Sequence, residues 1–231
     1  MKPAADMFDK LKSLFGAKAA PAPTSFDPAA YQPYRQDELN LVYKLMFCDE
    51  AALFAQRAST LPLFGDSPDP QVIRAIAQDS NEESRVRLLA FNWLRERTYA
   101  VPPKEALGVV VEVPLENGLD VLAAYADGQV QYINQTGRLA VFEGSPAEVV
   151  QQAKVLVQSA ARGLAKNAGQ EGGKLRRPPP AAGALRVTVL AADGLHISEG
   201  SFAELHGKSA SSAVLKQAQA LLDLVVRQAN G

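Results

Sequence analysis

Between residues 107 and 161 short β-type runs alternate with Gly-containing turns and then give way to a helix start, and no other stretch limits the fold as much. Residues 107–113 contain GVVVEV, too β-branched and too short for a helix. Asn117-Gly118, at the end of a PLENG loop, tolerates positive φ and turns the chain into a second strand over 119–126. Asp127-Gly128 and Thr136-Gly137 turn it again, which predicts strands over 129–134 and 138–143 and a four-stranded antiparallel meander. Val109, Val111 and Val113 share one face of the first strand, and Leu119, Val121, Ala123 and Tyr125 one face of the second. Val110, Leu122 and Ala124 make the opposite faces apolar as well, so the sheet should be covered on both sides.

Ser145-Pro146-Ala147-Glu148 combines an N-cap, an N1 proline and an N3 glutamate. The helix it opens has an inward stripe of Val149, Ala153, Leu156, Ala160 and Leu164 and frays near Lys166. A similar order returns later. LDVLAAYADG at 119–128 aligns without a gap on LRVTVLAADG at 185–194, and VVQQAKVLV at 149–157 lies on VLKQAQALL at 214–222. In this second copy Glu199-Gly200 should separate strands over 195–198 and 202–205. Ser209 or Ser211 then caps a helix with Leu215, Ala218, Leu222 and Val225 inward. Neither half buries a sheet face well alone, so the two should share one core.

The expected fold is α+β: an N-terminal helical region packed on an antiparallel sheet built from two pseudo-repeated βββα units. Residues 36–103 are the helical region, 104–166 the first unit (ββββα), and 184–231 the second. The Gly/Pro-rich stretch 167–183 links them. Within the helical region Leu39, Val42, Leu45 or Met46, Ala52 and Leu53 share a face through about Gln56. Asp69 and Pro70 cap a helix over 71–78. Ser80 and Glu83 form an S-x-x-E box opening a helix with Val86, Leu89, Trp93 and Leu94 inward, ended by Val101-Pro102-Pro103.

Residues 1–16 read as an amphipathic helix. Met7, Phe8, Leu11, Leu14 and Phe15 lie on one side, with Asp9, Lys10 and Lys12 elsewhere on the wheel. This chemistry suits docking to a protein or a membrane surface. Residues 17–35 are Ala/Pro-rich and aperiodic, a flexible tether. No stretch reaches the roughly 20 apolar residues of a membrane span, and charges interrupt what would be a signal-peptide core. A lone Cys48 excludes an intramolecular disulfide. The expected location is the cytoplasm, with peripheral membrane contact through the N-terminal helix as an alternative. The formal charge of -1 gives no case for nucleic-acid binding.

Chemical constellations are sparse. Cys48-Asp49-Glu50 sets a thiol beside carboxylates that raise a thiol pKa, which favours a buried structural cysteine. Arg85, Arg87, Arg95 and Arg97 with Glu82, Glu83 and Glu96 read as a solvated, ion-paired face. Lys174, Arg176 and Arg177 are candidates for anion docking from a solvated linker. His196 and His206 have no companion ligands, so no metal is expected, and His196 reads as a sheet-surface residue. Gly172-Gly173-Lys174 lacks the spacing of a phosphate loop, there is no G-x-S-x-G elbow, and no cofactor is expected. Asp127 and Asp193 each precede Gly, where the turn itself favours Asp. Tyr132, Asn134, Gln135, Thr136 and Arg138 cluster on one hairpin and form the candidate binding surface for a partner or ligand.

The run SRVRLLAFNWLR, then LGVVVEVPLENGLDVLAAYADGQVQYINQTGRLAVFE, RRPPP and VLAADGLHISEG, is similar to an uncharacterised bacterial family. The resemblance covers most of the chain from about Tyr31, FCDE at 47–50 included, and implies an arrangement without an activity. The DG hairpins followed by a helix also resemble roadblock or profilin-like modules, which are chiefly interaction domains. The expected function is a non-enzymatic adaptor or protein-interaction module with a tethered docking helix. A toxin-neutralising or otherwise inhibitory binding protein is the alternative. An enzyme is the third reading, with a pocket between helical cap and sheet lined by Arg85, Glu112, Tyr132 or Asn134.

Overall fold

The computed structural model describes residues 32–55, 61–116, 118–166, 176–207 and 209–229. The expected docking helix (Met7, Phe8, Leu11, Leu14, Phe15) and Lys174 lie outside them. Helices α1 (Asp37–Leu45), α2 (Ala51–Ala55), α3 (Pro70–Gln78) and α4 (Ser84–Glu96) come first, with a 3-10 turn at Pro62–Phe64. Strands β1 (Ala106–Leu115), β2 (Gly118–Tyr125), β3 (Val130–Ile133) and β4 (Leu139–Phe142) come next as the expected meander, then α5 (Ala147–Lys166). Strands β5 (Leu185–Ala191) and β6 (Gly194–Gly200), and helices α6 (Phe202–Gly207) and α7 (Ser209–Ala229), complete the chain.

One six-stranded sheet runs β4-β3-β2-β1-β5-β6, every neighbouring pair antiparallel. The valine-rich β1 lies at its centre, and residues 107–113 are buried on both faces. Helices α1 to α4 cover one face, packing on Val110, Val121, Ala123, Tyr125 and Leu190. Helices α5 and α7 cover the other, over Val109, Val111, Leu122, Val187 and Val189. The inward stripes expected for α5 and α7 are all buried. The result is an α+β fold in three layers, helix, sheet, helix, as the apolar patterning on both faces of β1 and β2 requires.

The internal repeat does not carry through as a structural copy. Leu119, Val121 and Ala123 face the N-terminal helices, whereas the residues aligned with them, Leu185, Val187 and Val189, face the α5–α7 pair. Side chains alternate with period 2, so an in-register match on opposite faces puts each pair in different layers. Strands β2 and β5 flank β1 on its two sides, each antiparallel to it and each followed by its outer neighbour. Superposing them means turning one over about β1, which would send the following helices to opposite faces. Both α5 and α7 cover the same one.

The expected strand over 202–205 is helix α6 instead. Ser201 and Glu204 cap it reciprocally: Ser201 N–H donates to Glu204 Oε2 at 2.8 Å and Glu204 N–H to Ser201 Oγ at 3.3 Å. At Ser80 the same S-x-x-E spacing opens no helix, because α4 starts at Ser84. Helix α7 begins at Ser209, so Ser211 lies inside it rather than at its cap. The helix expected to run from Gln36 to Gln56 is interrupted after Leu45, and Cys48 sits at φ +53, a left-handed conformation costly for a residue with a Cβ. The tether ends before 35: Tyr34 is buried, and its hydroxyl donates to Leu119 O at 3.0 Å.

Candidate functional site

The hairpin from Tyr132 to Arg138 divides between structural and exposed roles. Asn134 Oδ1 accepts from the backbone N–H of Thr136 and Arg138 at 3.0 and 2.9 Å and from Thr136 Oγ1 at 2.9 Å. Its amide is thereby committed to the turn, an Asx arrangement closed at Gly137, φ +81. Tyr132 is buried and donates to Asp120 Oδ2 at 2.8 Å. Asp120 Oδ1 accepts the backbone N–H of Gln135. Burial pushes the Asp120 carboxyl up to about 6 despite these two donors. Of the candidate residues Tyr132 is thereby turned inward, Asn134 and Gln135 are half-buried, and Thr136 and Arg138 are exposed.

Strand β4, just past the turn, is more informative. Leu139 and Val141 are 42% and 45% exposed on it, and it has β3 as its one neighbour among the described residues. Their cross-strand partners are Ile133 and Gln131, and Ile133 belongs to the core beneath the N-terminal helices. The strip thus lies on the face those helices cover elsewhere, where their layer stops short. Helix α1 enters beside it: a Cβ at Gly137 would meet Leu39 Cδ1 at 3.0 Å and Gln36 Oε1 at 3.2 Å. Gln131 is only 8% exposed, and its Oε1 finds no donor among the described residues. A buried carbonyl oxygen without a donor costs about 1–3 kcal/mol, so this face carries an unmet polar demand beside an apolar one.

A second cluster lies under α1. Glu112 of β1, Arg186 of β5 and Glu199 of β6 stand opposite one another across three strands. Arg186 lies 3.4 Å from Glu112 Oε2 and 3.0 Å from Glu199 Oε2, and Tyr43 donates to Glu112 Oε1 at 2.7 Å. Glu112 is fully buried; desolvation pushes its carboxyl up to about 7, opposed by Arg186 and the Tyr43 hydroxyl. The RRPPP segment is anchored to the same region. Arg176 pairs with Asp49 and Glu50 and rests over the Phe47 ring at 5.3 Å, and Arg177 lies 3.8 Å from Glu199. Arg176 and Arg177 are engaged by carboxylates of the chain itself. Arg176, with 8% of its side chain exposed, is not part of a solvated linker.

The remaining candidates are mostly inward. Cys48 is buried, and burial pushes its thiol up to about 12, the structural role expected of it. The arginines of α4 are less solvated than expected. Arg87 donates to Ala77 O at 2.9 Å and Glu105 at 2.6 Å, and Arg85 lies over the rings of Phe54 and Tyr125 at 5.3 and 5.7 Å. Arg97 stacks on Trp93, Trp93 on Tyr99, and Arg74 over Tyr99, a column that sequence spacing did not suggest. Contrary to its reading as a surface residue, His196 is buried, and its Nε2 lies 2.9 Å from Asp193 Oδ1. Among the described residues no three His, Cys, Asp or Glu side chains are placed to hold a metal ion.

Arg85, Glu112, Tyr132 and Asn134 do not converge on one pocket. Glu112 faces α1, while Tyr132 lines a cavity of about 10 Å³ on the opposite face with Asp120, Val111, Leu122, Ala218 and Leu222. That volume is on the order of one water molecule. No helix of the described residues is long and apolar enough to cross a membrane. No family model matches the chain, and no curated protein or solved structure does.

Proposed function

We propose that this protein is a non-enzymatic interaction or adaptor module that receives another protein along β4, with the N-terminal amphipathic segment as a tethered docking element. The observation that carries the reading is the exposure of Leu139 and Val141 on a strand whose outer edge has no neighbour among the described residues. Edge strands are usually blunted by charge, proline or a covering element, because they are ready templates for pairing with another chain. Here Arg138 and Glu143 flank the strand, and its outward face is apolar. An added strand would gain backbone hydrogen bonds from the edge and side-chain contacts from Leu139 and Val141.

The buried ionisable groups support the same reading. Glu112, Asp120, Arg186 and Arg176 are satisfied within the chain and serve packing. The test is retention of partners from the native host by the immobilised full chain and by a Leu139→Lys/Val141→Lys variant, with any binary complex rebuilt from purified components. A partner lost with the double variant supports the reading. Identical retention by both chains overturns it.

A further inference from the structure

We infer that residues 7–15 of this same chain dock on the β3–β4 strip, completing the helical layer over the two outermost strands and occupying the face that a partner would use. The inference rests on reading β4 as the docking face. Four observations lead to it.

The helical layer has a gap in a particular place. Helices α1 to α4 cover one face of the sheet, yet Leu139 and Val141 on that face stay exposed. The gap contains an apolar demand and, in Gln131 Oε1, a buried acceptor without a donor among the described residues.

The chain arrives beside that gap. Tyr34 is fastened to Leu119, and Gln36 and Leu39 abut Gly137, two residues before Leu139. The first described residues thus lie beside the turn that leads into β4.

The tether has a suitable length. Sixteen residues, 16–31, separate the segment from the described chain. Sixteen residues reach from about 20 Å as a coil to about 50 Å as an extended polyproline-type spacer, and a nine-residue helix is about 13 Å long. Tethers of this kind give effective concentrations near the millimolar range, so a contact of about millimolar affinity between separate molecules is half-populated within one.

The segment has complementary chemistry. Met7, Phe8, Leu11, Leu14 and Phe15 form one apolar stripe, while Lys10 and Lys12 supply donors at its border. Such a short helix is marginal alone and forms by laying its apolar face against a surface. A partner for β4 must then displace it, which makes occupancy of the strip a competition between the chain's own segment and the incoming protein.

The experiment uses the full isotope-labelled chain with Ser13→Cys carrying a nitroxide; buried Cys48 stays unlabelled. Docking predicts strong broadening of the amide signals of residues 138–142, unchanged on dilution and relieved by Phe8→Asp/Leu11→Asp or by Val141→Lys. Absence of broadening there overturns the inference. So does broadening of an isotope-labelled chain lacking the nitroxide when mixed with nitroxide-bearing chains, which makes a second copy the occupant. Persistence in Phe8→Asp/Leu11→Asp overturns it as well. The two proposals fail separately. If Leu139→Lys/Val141→Lys abolishes partner retention while the nitroxide broadens nothing, only the intramolecular docking is lost; if retention is unchanged, the partner face itself is wrong.

Discussion

Ser84, the first residue of α4, and Asp127, in the turn between β2 and β3, cap each other across 43 residues of chain: Ser84 N–H donates to Asp127 Oδ2 at 2.8 Å, and Asp127 N–H donates to Ser84 Oγ at 3.0 Å. The other carboxylate oxygen of Asp127 accepts Gln129 N–H at 3.0 Å, so one side chain holds the hairpin turn and the helix start together. Asp127→Ala should lower stability by about 1–2 kcal/mol, the usual worth of a lost N-cap. A double-mutant cycle with Ser84→Ala, read by urea unfolding, should show coupling above about 0.5 kcal/mol. Additive losses would mean that the two caps act independently.

Glu112 predicts a pH dependence. Its folded pKa, about 7, lies above the ordinary 4.5, so the unfolded chain ionises first as pH rises. Stability is therefore fully present below about pH 4.5 and falls as pH rises toward 7, by on the order of 3 kcal/mol at most from this group. Asp49 and Asp120, both raised to about 6 by burial, add slopes of the same sign. Glu112→Gln keeps an acceptor for Tyr43 and should flatten the curve of stability against pH in that window. An unchanged slope would show that Glu112 is ionised in the fold throughout.

Arg176 and Arg177 are adjacent in sequence and unequal in the fold. Arg176→Ala strands the mostly buried Asp49 carboxylate and should cost about 3 kcal/mol, the low end for breaking a buried pair. Arg177 has 54% of its side chain exposed, and its pair with Glu199 belongs to the class worth less than about 1 kcal/mol. Thermal unfolding of the two variants should separate them clearly.

Cys48 should be inert in the folded protein. Complete burial and a thiol pushed up to about 12 leave almost no accessible thiolate at neutral pH. Its reaction with a disulfide reagent should follow the opening of the fold and accelerate in denaturant. Rapid stoichiometric labelling in buffer alone would contradict this placement.

Much of the architecture was legible because its signals are local. GVVVEV, the DG and TG turns and the stripes of α5 and α7 each act within a few residues. The failures have a common cause in contacts between distant residues. Ser80 and Glu83 have the spacing of a capping box, yet Asp127 supplies the cap four residues later, and no local pattern announces a partner 43 positions away. Ser201 and Glu204 did carry a true box, which the matched repeat concealed by suggesting a strand. The repeat misled because aligned letters say which residues alternate and leave open which layer each faces. The β3–β4 hairpin was legible from its turn, but Tyr132 turns inward to Asp120, a cross-strand pairing that sequence spacing alone does not reveal.

The position of β1 at the centre of the sheet has a consequence for biosynthesis. One flank of β1 is paired by β2 as soon as the hairpin closes, whereas the other waits for β5, made some seventy residues later. Throughout that interval a nascent chain carries GVVVEV with a bare hydrogen-bonding edge and Glu112 without Arg186, the kind of edge that templates aggregation. A chain stopped before residue 185 should therefore collect in inclusion bodies, and the last two strands act for the first four as a built-in chaperone.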